Sequence, residues 1–349
     1  MTTPPMPPAT PMTANLTLAV PAHNDRVPLL RLLNRVRQLE GVARVVVVDD
    51  GSDVPLETEE LSKALKRPEP NSPDSNSPES TAPDSTTPVL TLLRHDTAKG
   101  PGPARNRALG EVDSDYVLFV DADDLVTQEV PLLMRDLDGK AFDFCLFRYH
   151  DTRQEQALLW GQMPWDQHLW QQAGVALGAL NVVSRAARTP LVQCANYPWN
   201  KIYRTAFLRD HQIGCSGILL HEDVELHWRS FLHAKIILAS DRIGVIHFVS
   251  TDGDRLTNRT GPERLEVFEP LARIAAEIEA HDRAIYALPF ARFALGLIDW
   301  IGGNLDPAYA RRLGLLTRGF TDAHIPPALL DDITRHDPDL IARVLRDDL

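Results

Sequence analysis

Residues 116 to 124, Tyr-Val-Leu-Phe-Val-Asp-Ala-Asp-Asp, set a strand-forming apolar run directly against three carboxylates. Val117 to Val120 is predicted to be a strand buried on both faces. Asp121, Asp123 and Asp124 then emerge at its carboxyl end, the edge where open α/β sheets bind ligands. Carboxylates this close repel one another unless positive charge sits among them, and a divalent metal carrying a phosphorylated ligand is the simplest such partner. Asp49-Asp50-Gly51-Ser52 stops an earlier apolar run, Val45 to Val48, so its side chains are expected on the same edge. One carboxylate there can accept from the ring N–H of uracil, thymine or guanine, although a plain turn uses the same residue types.

Lys99-Gly100-Pro101-Gly102-Pro103-Ala104-Arg105-Asn106 follows a predicted strand and opens a predicted helix, as a dinucleotide fingerprint does. The match fails because Arg105 stands where the third glycine is needed and two prolines remove N–H donors. Arg105 and Lys99 can still meet a diphosphate, with the helix dipole in their favour; the other reading of Arg105 is an ion pair. Asp223 opens a helix predicted to run to Phe231 and is either a general base or a first-turn dipole partner, with Glu222 as the competing base or as its orienter. Lys201 reaches donor phosphates or an acidic acceptor, or is a solvated lysine. His247, at the end of the apolar run Ile243 to Ile246, is a further metal ligand or a structural histidine. The polar segment 250–259 has the composition of a lid.

The elements that position these groups alternate. Leu16 to Val20 reads as a strand, Arg26 to Glu40 as a helix with Leu29, Leu30, Leu33, Val36 and Leu39 at helical spacing, and Val45 to Val48 as a second strand. Strand, helix, strand favours a parallel sheet with right-handed crossovers. Pro68 to Pro88 holds six prolines and no aromatic residue, so a disordered insertion is expected over about 66–88. Val89 to Leu93 is the next strand, Pro103 to Leu109 a short helix, Gln128 to Leu137 a helix and Phe142 to Tyr149 a strand. Trp160, Trp165 and Trp170 either pack or line an acceptor groove. From Pro262 onward the spacing is helical, with Leu265, Phe268, Leu271, Ile274, Ala275 and Ile278 on one face. The domain reading is therefore a disordered leader over 1–13, an α/β domain over 14–261 and a helical C-terminal region over 262–349.

The formal net charge of −12 over 349 residues argues against bulk electrostatic binding of nucleic acid or anionic lipid. Three cysteines, Cys145, Cys194 and Cys215, lie far apart without metal-ligand spacing and fit a reducing cytoplasm. The first 13 residues hold five prolines and no basic residue, unlike a signal peptide. The apolar stretch Ile285 to Ile301 contains Arg292 and Asp299 and falls short of the ~20 residues of a spanning helix, so no transmembrane segment is expected and a core or dimer helix is preferred.

In this order the pieces resemble the family 2 glycosyltransferases of the GT-A fold. The matching runs are Ala19-Val20-Pro21-Ala22-His23-Asn24, Val47-Val48-Asp49-Asp50-Gly51-Ser52, Ala104-Arg105-Asn106, Asp121-Ala122-Asp123-Asp124, Trp199-Asn200-Lys201-Ile202-Tyr203 and His221-Glu222-Asp223. The resemblance covers about residues 15 to 260. It implies a Rossmann-like mixed sheet with helices on both faces, followed here by a C-terminal helical appendage. It also implies transfer of a sugar, with inversion, from a nucleotide-sugar donor, a UDP-sugar, to a glycan or polysaccharide acceptor. By position, Pro21, Ala22, His23 and Asp50 would hold base and ribose, and Asp121 with Ala122 the ribose. Asp123, with His247 as a further candidate, would hold Mn2+ or Mg2+ at the diphosphate, and Asp223 would be the base. The family usually has an aromatic where this chain has His23. A non-catalytic sugar-nucleotide scaffold and a nucleotidyltransferase are the alternatives; the second is disfavoured because Pro21 to Pro28 lacks the glycine-rich triphosphate loop. The C-terminal helices, outside the resemblance, are expected to serve homo-oligomerisation or acceptor binding.

Overall fold

A computed structural model describes residues 16–67, 87–249, 256–280 and 284–345. The leader, most of the proline-rich insertion and the first part of the 250–259 segment lie outside the described residues.

Among the described residues nine strands form one mixed sheet: β1 Leu16–Ala22, β2 Val42–Asp49, β3 Val89–Arg94, β4 Tyr116–Phe119, β5 Leu125–Val126, β6 Phe144–Asp151, β7 Leu180–Val182, β8 Lys201–Arg204 and β9 Ile237–His247. The order is β3-β2-β1-β4-β8-β6-β9-β5, with β7 also against β9. The pairs β3-β2, β2-β1 and β1-β4 are parallel, as strand-helix-strand alternation dictates. Beyond β4 the sheet becomes mixed, as the family resemblance implies, because β8 inserts antiparallel between β4 and β6. β6 and β9 then run parallel to each other. The carboxyl ends of β1, β2, β3, β4, β6 and β9 therefore share one rim with the amino end of β8.

The two faces follow the period of two that a strand imposes. Ala19, Val46, Val48, Val117, Phe119, Phe144, Leu146 and Tyr203 belong to one apolar cluster, and Leu18, Val20, Val45, Val47, Leu118, Val120, Cys145 and Ile202 to another. Helices Arg26–Val36, Thr58–Leu65 and Glu129–Leu137 contribute to the second cluster. Helices Pro101–Gly110 and Asp223–His233 contribute to the first, which continues without a break into the C-terminal helices.

Some boundaries differ from expectation. The first helix stops at Val36, four residues before Glu40. The run Ile243 to Ile246 is the end of the 11-residue β9. The apolar stretch at 285–301 belongs to a helix, Ala284–Asn304, of 21 residues, long and apolar enough by length and composition to cross a membrane. One face of that helix is buried in the protein through Tyr286, Phe290, Ala294, Leu295, Ile298 and Ile301.

The helix Asp223–His233 is clamped on both sides. Phe231 meets Phe144 of β6 edge-on at 5.2 Å, while Trp228 packs on Phe290 and Phe293 at 5.0 and 5.1 Å. The Tyr286 hydroxyl donates to the Phe231 carbonyl at 3.0 Å. The C-terminal region thus fixes the helix that begins with Asp223.

Candidate active site

The rim is assembled from strand ends. At the end of β2, Gly51 turns the chain with φ +68°, and a Cβ there would lie 2.5 Å from the Ala98 amide nitrogen, so the turn requires glycine. This turn points Asp49 inward, where it is fully buried and accepts from the amides of Ser52 at 2.9 Å and Leu56 at 3.1 Å and from Arg94. Burial alone would raise its pKa, but these hydrogen bonds outweigh burial and hold it below the ordinary value.

Asp50 is 3% exposed and its carboxylate is occupied by the chain. It bonds the His95 Nδ1 at 2.6 Å and accepts from the amides of Lys99 at 3.0 Å and Gly100 at 2.7 Å. Expected to contact a base, it instead fixes the loop that leads from β3 into the helix Pro101–Gly110. Pro21 and Ala22 are buried at the end of β1, and the Ala22 carbonyl accepts from the Asp50 amide at 2.8 Å. His23 is exposed, with Nδ1 at 2.8 Å from the Asp50 carbonyl, so its ring is oriented while one side stays open. The Lys99 side chain is exposed beside this loop.

Arg105 ties the two acidic segments together. It is 4% exposed and donates through Nη2 to Asp121 at 2.6 Å and through Nη1 to Glu222 at 2.5 Å. Burial disfavours its charge, yet Asp121 and Glu222 win and keep the guanidinium firmly protonated. The first turn of its helix reaches this close because residue 102 is glycine: a Cβ there would lie 2.4 Å from the Ser216 carbonyl oxygen. Arg105 was expected to meet a diphosphate; both of its terminal nitrogens are spent on carboxylates instead. Glu222, the competing base, is the other end of that ion pair.

Asp223 is left as the unclaimed carboxylate. It takes part in none of the side-chain hydrogen bonds or ion pairs found among the described residues, and burial, reinforced by the charge of Glu222, pushes its pKa up to about 7 against the opposing pull of Arg105 and Lys201. Lys201, at the start of β8, is fully buried and donates to the Tyr197 carbonyl at 2.8 Å and Asn200 Oδ1 at 2.6 Å. Burial lowers its pKa to about 7, with Asp223 pulling it back up. It neighbours Asp223 electrostatically and is enclosed, contrary to the expectation that it reaches outward to phosphate.

Asp123 is half-buried after β4 and its carbonyl accepts from Arg31; Ala122 beside it is buried. His247 and Asp123 do not bond directly: Nδ1 of His247 lies 2.9 Å from Asp124 Oδ1, and Asp124 is fully buried. Burial works against a charged His247, but Asp124 raises its pKa above the ordinary value. The ring is stacked on Trp199 at 4.9 Å. Among the described residues no group of three or more His, Cys, Asp and Glu is placed to hold a metal by itself. Trp170 is buried, whereas Trp160 and Trp165 are exposed.

His95 and Arg31 were not singled out from the sequence, and Asp124 was named there among the acids at the strand end without a role of its own. His95 carried a signal: a polar residue just past a strand of the same sheet. Asp124 carried one as the third acid of its run; Arg31, on a helix face, carried none.

Residues 17–188 match the family described as Glycosyl transferase family 2. The pre-mycofactocin glycosyltransferases of Mycobacterium tuberculosis, strains CDC 1551 / Oshkosh and ATCC 25618 / H37Rv, are 32% identical over 119 residues, 34% of this chain. That match spans about a fifth, 20%, of the relatives' length. Among solved structures, S. aureus TarS 1–349 in complex with UDP-GlcNAc superposes with a TM-score of 0.69 at 20% identity, over 94% of this chain and 87% of that one. A second crystal structure of S. aureus TarS 1–349 gives 0.66 at 21%, over 94% and 86%. These likenesses show the GT-A fold together with the helices that follow it. The matched segment contains four of the six signatures, and they build much of the rim described above: residues 17–188 belong to glycosyl transferase family 2.

Proposed function

We propose that the protein is an inverting, metal-dependent glycosyltransferase that moves a sugar from a UDP-sugar to a hydroxyl of a glycan acceptor, with Asp223 as general base. The observation that carries this reading is the setting of Asp223: a carboxylate with no side-chain hydrogen bond or ion pair among the described residues, beside an arginine that pairs with Asp121 and Glu222, and pushed up by burial to a pKa of about 7. A general base works best when its pKa lies near the operating pH, and a sugar hydroxyl attacks poorly unless its proton is removed.

In this reading the exposed His23 ring takes the place of the family's aromatic against the base, and the walls of that pocket are Pro21, Ala22 and the loop held by Asp50. The Lys99 side chain faces the diphosphate, and Asp121, fixed by Arg105, meets the ribose. Asp123 suits a hard divalent cation, and the Asp124 contact leaves Nε2 of His247 available as a second ligand. With no complete cluster in the described chain, the remaining ligands would be donor oxygens. A bound Mn2+ or Mg2+ would offset the charge that grows on the departing diphosphate. The acceptor oxygen bonds to the anomeric carbon as Asp223 takes its proton, and the bond to the nucleoside diphosphate breaks on the opposite face, which inverts the centre. Glu222, neutralised by Arg105, holds the end of the helix that presents Asp223. The reducing-compartment reading is supported by three buried cysteines, all free.

Incubation with a panel of UDP-sugars, Mn2+ and oligosaccharides tests the reading through release of UDP and the anomeric configuration of the product. UDP release with an inverted linkage is the expected result; pyrophosphate release, or binding of UDP without turnover on any donor, would overturn it.

A further inference from the structure

Three of the six tryptophans, Trp170, Trp199 and Trp228, are essentially buried, and Trp160 and Trp165 belong to the segment between β6 and β7. Trp300 differs from all five: it sits near the end of the helix Ala284–Asn304, 45% exposed, and its indole meets the His221 ring edge-on at 5.6 Å with an interplanar angle of 88°. His221 lies two residues before Asp223. We infer that Trp300 is the acceptor platform of this transferase, a surface on which the apolar face of a sugar ring of a glycan acceptor stacks so that a hydroxyl is presented to Asp223. This deepens the proposed function and rests on it.

The indole is held in place rather than merely exposed. The Arg264 guanidinium lies 4.8 Å from the ring centroid, and Arg264 is 1% exposed, so this cation–π contact is built into the packing. His221 adopts φ +63°, a left-handed conformation that a non-glycine residue rarely takes, and its Nε2 is buried with no hydrogen-bond partner. Burial, with Arg264 nearby, lowers the His221 pKa to about 4, so the imidazole against Trp300 is neutral at physiological pH. A strained backbone, an unsatisfied ring nitrogen and a fixed, open indole converge on the segment that presents the candidate base. A pyranose carries polarised C–H bonds on one face and hydroxyls at its edge. The first suit the negative face of an indole, and the second suit a nearby carboxylate. The donor side of the rim is built by β1 to β4, whereas Trp300 comes from the C-terminal helices, so the ring fits an acceptor rather than a nucleobase.

The experiment is a KM split measured on the full chain with Mn2+, UDP-GlcNAc as donor and the β-methyl glycosides of glucose, galactose and N-acetylglucosamine, with their tetrasaccharides, as acceptors. Trp300→Ala should raise the acceptor KM about tenfold and the donor KM less than twofold, and Trp300→Phe should restore the acceptor KM to within about threefold of the parent. An unchanged acceptor KM in both variants, or a donor KM that rises as much as the acceptor KM, overturns the inference. Should the alanine variant fail to fold, the phenylalanine variant is read against Trp300→Leu, which keeps apolar bulk without a ring; equal acceptor KM for those two also overturns it. Parent protein that releases UDP in water but transfers to none of these glycosides sinks the platform while the transferase reading stands. Parent protein inert toward every UDP-sugar sinks both.

Discussion

At the carboxyl end of β2, Asp49 and Asp50 are occupied almost entirely by their own chain: amides of Ser52, Leu56, Lys99 and Gly100, with Arg94 and His95 beside them. Beyond β4 the acids at positions 121, 222 and 223 share one arginine, and it pairs with only two of them. The first region uses carboxylates to fix loop geometry. The second leaves Asp223 with its pKa pushed up by burial and with no side-chain hydrogen bond or ion pair among the described residues. A strand end rich in aspartate is therefore not evidence of reactivity in itself; what distinguishes the two regions is whether the backbone satisfies the acid.

Changes at the second region should be the more damaging to turnover. Asp223→Asn should lower kcat about 100 to 10,000-fold while leaving the far-ultraviolet dichroism of the folded chain intact. A rate within threefold of the parent would place the base elsewhere. Arg105→Met leaves Glu222 and Asp121 without their counter-charge in a buried setting and should cost about 3–5 kcal/mol in chemical denaturation. Part of that loss should return in the double variant Arg105→Met with Glu222→Gln.

The first region should respond in stability. Gly51→Ala forces a left-handed alanine against the Ala98 amide and should cost at least about 1–3 kcal/mol without changing the pH profile of catalysis. That profile belongs to the second region: kcat/KM should climb about tenfold per pH unit on the acid side and level off above pH 7, as Asp223 loses its proton. Stability runs the opposite way for the same group. Its folded pKa, about 7, lies above the unfolded ~3.9, so its contribution is complete below about pH 4 and is lost as pH rises toward 7. An acid limb near pH 4 in kcat/KM would remove Asp223 from the mechanism. The smallest effect is expected for His23→Ala, a rise in donor KM of roughly fivefold from lost stacking, with the melting temperature unchanged.

Much of the sheet was legible because β-branched runs such as Val45 to Val48 stop abruptly at polar residues, and strand-helix-strand alternation leaves few topologies open. Position on the rim was legible for the same reason. The hub at Arg105 was not: it pairs residues 117 positions apart, and a guanidinium after a glycine-rich turn reads equally well as a phosphate ligand. The surroundings of Asp50 were not legible because, apart from His95, its partners are backbone amides of a loop, which carry no side-chain signal. The burial of Lys201 was not legible because a lysine beside an asparagine at the start of a strand reads as solvated. The helical tail was legible as helix but not as the second support of the Asp223 helix, since nothing in its spacing names the surface it meets.

The clamp on helix Asp223–His233 also bears on how the protein is made. Phe231 has its sheet partner from Phe144 as soon as both have left the ribosome, but the surface around Trp228 has no cover until Phe290 and Phe293 have been synthesised. A nascent chain stalled between those points presents a greasy helix to its surroundings, so chaperone engagement should peak at intermediate lengths and the Asp223 carboxylate should settle late, after most of the polypeptide has emerged.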